Sequence, residues 1–253
     1  MGNETRVETL ARGLTLLRCF EEERIELSLK DLARLSGLAK PTAMRMLRTL
    51  ERSGFVSRYG DVYRIGPQCL KLGGLYRFDE DLQYRAAPIM QRLSEQVNEV
   101  VQLGTVAEGE ILYLERCQPN RSVMISPVVT RPGSTRPLYT TALGKAILAS
   151  QEEQKTSSYL NSVELVANTP STITSPEGLR EELELTRNRG YAVDNCETDP
   201  EVRCVGATIF SDPDRLAAAL SISAPEFRLS AGVLDEFGTL VREAAVEIST
   251  RYG

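Results

Sequence analysis

The sequence predicts an α+β chain in two parts: a winged helix-turn-helix over residues 1–66 and a larger mixed domain over residues 83–253, joined by a linker helix over residues 67–82. Three observations lead there. Residues 28–65 carry helix, turn, helix and hairpin signals in that order. From residue 100 the apolar pattern changes from helical spacing to strand-like alternation. Charge also separates along the chain. Residues 1–78 hold 14 Lys and Arg against 9 Asp and Glu, a net +5, while the remainder holds 16 against 26, a net −10. A basic front on an acidic body suits a nucleic-acid-binding segment attached to a domain that avoids nucleic acid.

Residues 7–20 place Val7, Leu10, Leu14 and Leu17 on one face, a first helix of the front module. The polar connector 21–26 follows. Ser28 can cap the next helix, with Asp31 three residues on as a variant of the capping box. Gly37 supplies the left-handed residue that ends it, and Pro41 fits the first position of a second helix. That second helix is two-faced. Ala43, Met46, Leu47 and Leu50 point one way; Thr42, Arg45, Arg48, Thr49 and Arg52 share the other. Guanidinium and hydroxyl groups of this kind suit phosphates and base edges. Residues 55–58 and 62–65 then pair as a hairpin across Tyr59-Gly60-Asp61, with Arg58 and Arg64 flanking its tip. Arg45, Arg48 and Thr42 are expected to read or register on DNA, while Lys40, Arg52, Arg58 and Arg64 neutralise phosphates.

Residues 67–77 read as a linker helix weakened by Gly73-Gly74, and residues 82–97 as a longer helix. Strands are expected over 100–106 and 111–117 around the turn Glu108-Gly109-Glu110, and over 122–128. The turn-rich stretch 131–137 precedes a helix over 141–150, and a short helix is expected over 152–160. Thr174 is the expected cap of a helix over 177–189, with Gly190 beyond its end. Short strands follow at 191–194, 203–210 and 216–223, then an amphipathic helix over 230–251.

The five cysteines are scattered and never spaced C-x-x-C, so neither a structural disulfide set nor a zinc site is expected. There is no histidine. That excludes Ser-His and Cys-His nucleophile pairs and any His-ligated metal, and an enzyme here would have to rely on carboxylates, Lys, Tyr or a lone thiol. The expectation is a chain that is not an enzyme, with no cofactor and no metal. No apolar run is long enough to cross a bilayer and no signal-peptide pattern opens the chain, so a cytoplasmic location and no membrane partner are expected.

The chain resembles the isocitrate lyase regulator (IclR) family of bacterial transcription factors across essentially its whole length. The resemblance rests on LARGL at 10–14, LSLKDLARLSGLAKPTAMRMLRTLERSGFV at 27–56 and YRIG at 63–66. It continues through RPLYTTALGKAILA at 136–149, RGYAVD at 189–194, VRCVGA at 202–207 and ALSISAP at 219–225. It implies a GAF-like effector-binding domain behind the winged helix-turn-helix, and a homodimer or homotetramer on double-stranded operator DNA. It also implies a site for a small organic acid effector at Ala142, Leu143, Gly144, Asp194, Val202, Cys204, Ser221 and Ser223. Free N–H groups at a helix start attract carboxylates, and Ser221 and Ser223 alternate onto one strand face. The loop NCETDPEV departs from the family pattern at Cys196 and Pro200.

By residue type alone Cys204 also fits a small core residue, Asp194 a loop cap, and the two serines a solvent-facing strand. The rival function is a GAF-like thiol enzyme or redox sensor using Cys204 or Cys196, which needs cations beside the sulfur to make a thiolate. A third reading is a DNA-binding scaffold with no ligand.

Overall fold

The computed structural model describes residues 7–21, 24–76, 80–119, 130–212 and 215–252. The chain divides into two compact units, Met1–Arg77 and Phe78–Gly253.

The first unit is built on α1 (Glu8–Leu17), α2 (Leu29–Ser36) and α3 (Lys40–Arg52), with β1 (Leu27–Ser28), β2 (Val56–Tyr59) and β3 (Val62–Ile65) forming a three-stranded antiparallel sheet in the order β1-β3-β2. Ser28 does cap α2: its Oγ accepts the Asp31 N–H at 3.2 Å and donates to the Asp31 carboxylate at 2.6 Å. Gly37 ends α2 with φ of 67°. Lys40 rather than Pro41 opens α3, so the proline takes its second position, where an N–H is still without a helical partner. Strand β1 was absent from the sequence reading, because two residues are too few to show alternation.

The core of this unit gathers Leu16, Leu32, Ala43, Met46, Leu47, Val56 and Tyr63. Each large member contributes about 1.5–3 kcal/mol by leaving water. On α1, Leu16 enters the core and Leu17 packs at its edge, whereas Val7, Leu10 and Leu14 are 64%, 62% and 51% exposed. The inner side of α1 is set by packing against α2 and α3. Helix α4 (Pro67–Gly73) follows the wing and is capped at Gly74, so the helix expected through residue 77 is shorter.

In the second unit a six-stranded antiparallel sheet has the order β6-β5-β4-β9-β8-β7. Its strands are β4 (Val100–Ala107), β5 (Glu110–Cys117), β6 (Thr135–Pro137), β7 (Ala192–Asn195), β8 (Val202–Asp212) and β9 (Arg215–Pro225). Helices α5 (Glu80–Val97) and α9 (Ala231–Tyr252) cover one face over a core that includes Leu82, Met90, Val101, Leu220, Ile222 and Ile248. Helices α6 (Ala142–Ser150), α7 (Glu153–Ser162) and α8 (Pro176–Arg189) cover the other, around Ile111, Tyr139, Ile147, Leu160, Leu179 and Leu183. The cap of α8 is Ser175, not Thr174: its Oγ accepts the Gly178 N–H at 3.1 Å. Residues 131–137, expected as loop only, contribute edge strand β6, and the strand expected over 122–128 lies outside the described residues.

Candidate functional site

Two arrangements carry chemistry, one in each unit. On α3, Lys40, Arg45, Arg48, Thr49 and Arg52 are exposed, while Thr42 is partly buried at the start of the helix. The inward positions Ala43, Met46 and Leu47 anchor this helix, so its basic face points away from the core by construction. Among the described residues Lys40, Arg45, Arg48 and Arg52 form no ion pair, which suits them to an external anion. The wing cations are more engaged. Arg58 Nε donates to the Gly60 carbonyl at 2.9 Å, and Arg64 pairs with Glu26 while lying 4.8 Å from the Tyr59 ring centre. They hold the shape of the wing tip as well as supplying charge.

In the second unit the sheet face under α6 forms a small enclosed site. Seven of the eight positions implied by the resemblance line one cavity: Ala142, Leu143, Asp194, Val202, Cys204, Ser221 and Ser223. Cross-strand register explains why. Asp194 opposes Cys204, Cys204 opposes Ser223, and Gly206 opposes Ser221, so these side chains rise from the same sheet face. Gly206 sits directly beneath the start of α6. A Cβ there would lie 3.0 Å from the Ala142 carbonyl, so glycine is what lets the helix start approach the strands.

Gly144 is the exception. It does not line the cavity, and its amide donates to the capping Thr141 Oγ1 at 3.0 Å. Its place is set by packing, because a side chain there would overlap the Leu138 backbone. The amides of Ala142 and Leu143, at the first two helical positions, have no such internal acceptor.

The loop after β7 closes the site. Asp194 does cap that loop, its Oδ1 accepting the N–H groups of Glu197 at 2.7 Å and Thr198 at 3.4 Å, yet the same carboxyl lines the cavity. Thr169 and Thr172 donate to the carbonyls of Cys196 and Glu197 at 2.6 and 2.7 Å, and Cys196 takes a left-handed backbone with φ of 60°. Beneath the loop, Lys145 is fully buried and paired with the buried Glu197. Burial pushes Asp194 up to about 7 and raises Glu197, in each case against the attraction of the Lys145 ammonium.

Sequence reading missed Gln102, Tyr113, Thr130, Thr198 and Asp199 as cavity residues, and missed the Lys145–Glu197 pair. A usable signal existed for two of them. Gln102 is a lone polar residue in VVQLGTV, and Lys145 is a lone charge in ALGKAILA. Gln102 accepts from Ser223 Oγ at 2.9 Å and donates to Thr130 Oγ1, which draws the cavity in to about 20 Å³, room for about one water.

The two named thiols are not poised for chemistry. Burial pushes Cys204 well above the usual thiol range, with the Asp194 charge adding to it, and Cys196 is raised too. A nucleophilic thiolate needs the opposite shift. Arg203, next in sequence to Cys204, is spent on Asn195, Leu229 and Glu226. The geometry gives the thiol enzyme no support. Among the described residues no helix is long and apolar enough to cross a membrane.

Comparison with known proteins agrees with this architecture. The family model for the IclR helix-turn-helix domain matches residues 9–60, and that for the bacterial transcriptional regulator IclR C-terminal region matches residues 77–250. The chain is 32% identical over 251 residues to the transcriptional repressor IclR of Escherichia coli, covering 98% of this chain and 90% of that one. The crystal structure of the Thermotoga maritima IclR is similar with a TM-score of 0.72 at 30% identity, covering 98% of this chain and all of that one. An IclR homolog of Microbacterium hydrocarbonoxydans, solved with 4-hydroxybenzoate, is similar with a TM-score of 0.76 at 26% identity, covering 96% and 98%.

Proposed function

The chain belongs to the IclR family of bacterial transcriptional regulators, and on that premise we propose that its operator binding is set by a small organic acid held in the cavity under α6. The observation that carries this reading is the convergence of two open α6 amides, two serine hydroxyls and Asp194 on one enclosed space. Amides at a helix start and hydroxyls on a strand are donors suited to a carboxylate. A relative that binds 4-hydroxybenzoate supports the class of ligand. In this reading residues 1–66 are the DNA-binding domain, residues 67–82 the connector, and residues 83–253 the effector-binding domain.

Thr42, Arg45 and Arg48 contact base edges or fix register, with Lys40, Arg52, Arg58 and Arg64 on phosphates. A homodimer or homotetramer presents two recognition helices to successive major grooves. The exposed apolar side chains of Leu10 and Leu14 on α1, with Leu70, Leu72 and Leu75 at and after α4, support self-association of the first unit.

The test is heat unfolding of the full chain with small mono- and dicarboxylates and with aromatic acids, 4-hydroxybenzoate among them. At a hundred times its Kd an effector is expected to raise the melting temperature of the second unit by roughly 5–10 °C. The Ser221→Ala/Ser223→Ala chain is expected to lose most of that shift. If no acid moves the transition, the chain is a scaffold without this ligand class.

A further inference from the structure

We propose that Arg116 determines the specificity of this cavity by selecting an effector with a second carboxylate, a short-chain dicarboxylate over a monocarboxylate. The proposal rests on the reading that one carboxylate is held at the start of α6.

Arg116 lies on β5 directly opposite Gln102 on β4. Gln102 in turn opposes Ser221 on β9, and Ser221 opposes Gly206 on β8. Opposed residues of an antiparallel sheet share a face. Ser221 and Gln102 line the cavity, so Arg116 rises on the same side at the end of that row.

Its charge is unanswered. Among the described residues Arg116, which is partly buried, forms no ion pair, and its Nε–H is buried without a hydrogen-bond partner. Burial draws the guanidinium below its ordinary range, and among the described residues no carboxylate offsets that effect. Leaving a guanidinium partly desolvated and unpaired is costly, and a bound anion removes the cost. Among the described residues the buried Lys145 is not available to a ligand, being committed to Glu197. Asp194 and Asp199 are the acidic groups on the cavity wall, so an acid held there lacks a countercharge until Arg116 supplies one.

Distance favours a ligand with two acidic ends. Gly206, beneath the α6 amides, and Arg116 are three strands apart, roughly 14 Å at the backbone. The arginine side chain crosses a large part of that span, and a short carbon chain with a carboxylate at each end bridges the rest. The space between is where Gln102 now bonds Ser223 and Thr130, so the ligand replaces those contacts.

The experiment is calorimetric titration of the full chain with succinate, glutarate and adipate, each matched with the monocarboxylate of the same chain: butyrate, pentanoate and hexanoate. The wild-type chain is expected to bind its preferred dicarboxylate at least about tenfold more tightly than the matched monocarboxylate. Arg116→Gln is expected to bring the two within about threefold while monocarboxylate binding persists, which also reports that the variant is folded; Arg116→Lys is expected to restore part of the preference. Equal wild-type binding of the paired acids, or a preference that survives Arg116→Gln, overturns the role of Arg116 and leaves the carboxylate site standing. If none of the six acids binds, this inference fails, while the carboxylate reading stands or falls on the heat-unfolding screen that includes the aromatic acids.

Discussion

A Lys145→Met chain is expected to lose about 3–5 kcal/mol of stability in its second unit, read as an earlier second-unit transition in chemical denaturation. The cause is not the loss of a favourable bond. Lys145 and Glu197 are both buried, and burial outweighs the attraction at Glu197, whose carboxyl is raised in spite of its partner. One Glu197 oxygen also has no hydrogen-bond partner. Such a pair contributes little net stability, but removing one member strands the other charge away from water. A Lys145→Met/Glu197→Met chain is therefore expected to recover most of the loss, since no stranded charge remains. A single variant within about 1 kcal/mol of wild type contradicts this account of the pair. What the pair does provide is placement. It ties α6 to the loop that Asp194 caps, so the cavity wall and the helix amides are held in one arrangement.

Arg45→Ala is expected to weaken operator binding by between about five- and a hundredfold, measured by gel-shift titration against a duplex that the full chain selects from a random library. Arg45 is exposed on α3, one turn from the helix start, on the face opposite Ala43, Met46 and Leu47. Its side chain is exposed, so the fold and the melting temperature are expected to stay as they are. A variant that binds the duplex as tightly as wild type removes α3 from the recognition role. Arg64→Ala is a weaker lever by the same reasoning, because Glu26 already offsets part of its charge.

The first unit was legible because its signals are local. Ser28, Gly37 and the proline at 41 mark helix ends through backbone chemistry that needs no tertiary context, and the two-faced pattern of α3 follows from helical period alone. Which side of α1 turns inward was not legible. Spacing groups Val7, Leu10, Leu14 and Leu17 on one face, and only packing against α2 and α3 puts Leu16 in the core. In the second unit, motif order placed most of the cavity residues, but strand order decides which of them meet. Gln102 and Arg116 lie more than 100 residues before Ser221 and Ser223 in the sequence, and only the pairing of β4 with β5 and β9 puts them in one row. Gly144 fits the motif, but its amide is engaged inside the helix cap and it does not line the cavity.

The central claim is that an acid bound under α6 changes how α3 meets DNA. It is tested most directly by fluorescence anisotropy on the selected duplex, titrated with the full chain in the presence and absence of a carboxylate that stabilises the chain to heat. The acid is expected to change the duplex Kd by about fivefold or more, and the Ser221→Ala/Ser223→Ala chain is expected to bind the duplex with one affinity in both conditions. An acid that binds the wild-type chain and leaves the duplex Kd unchanged contradicts the claim.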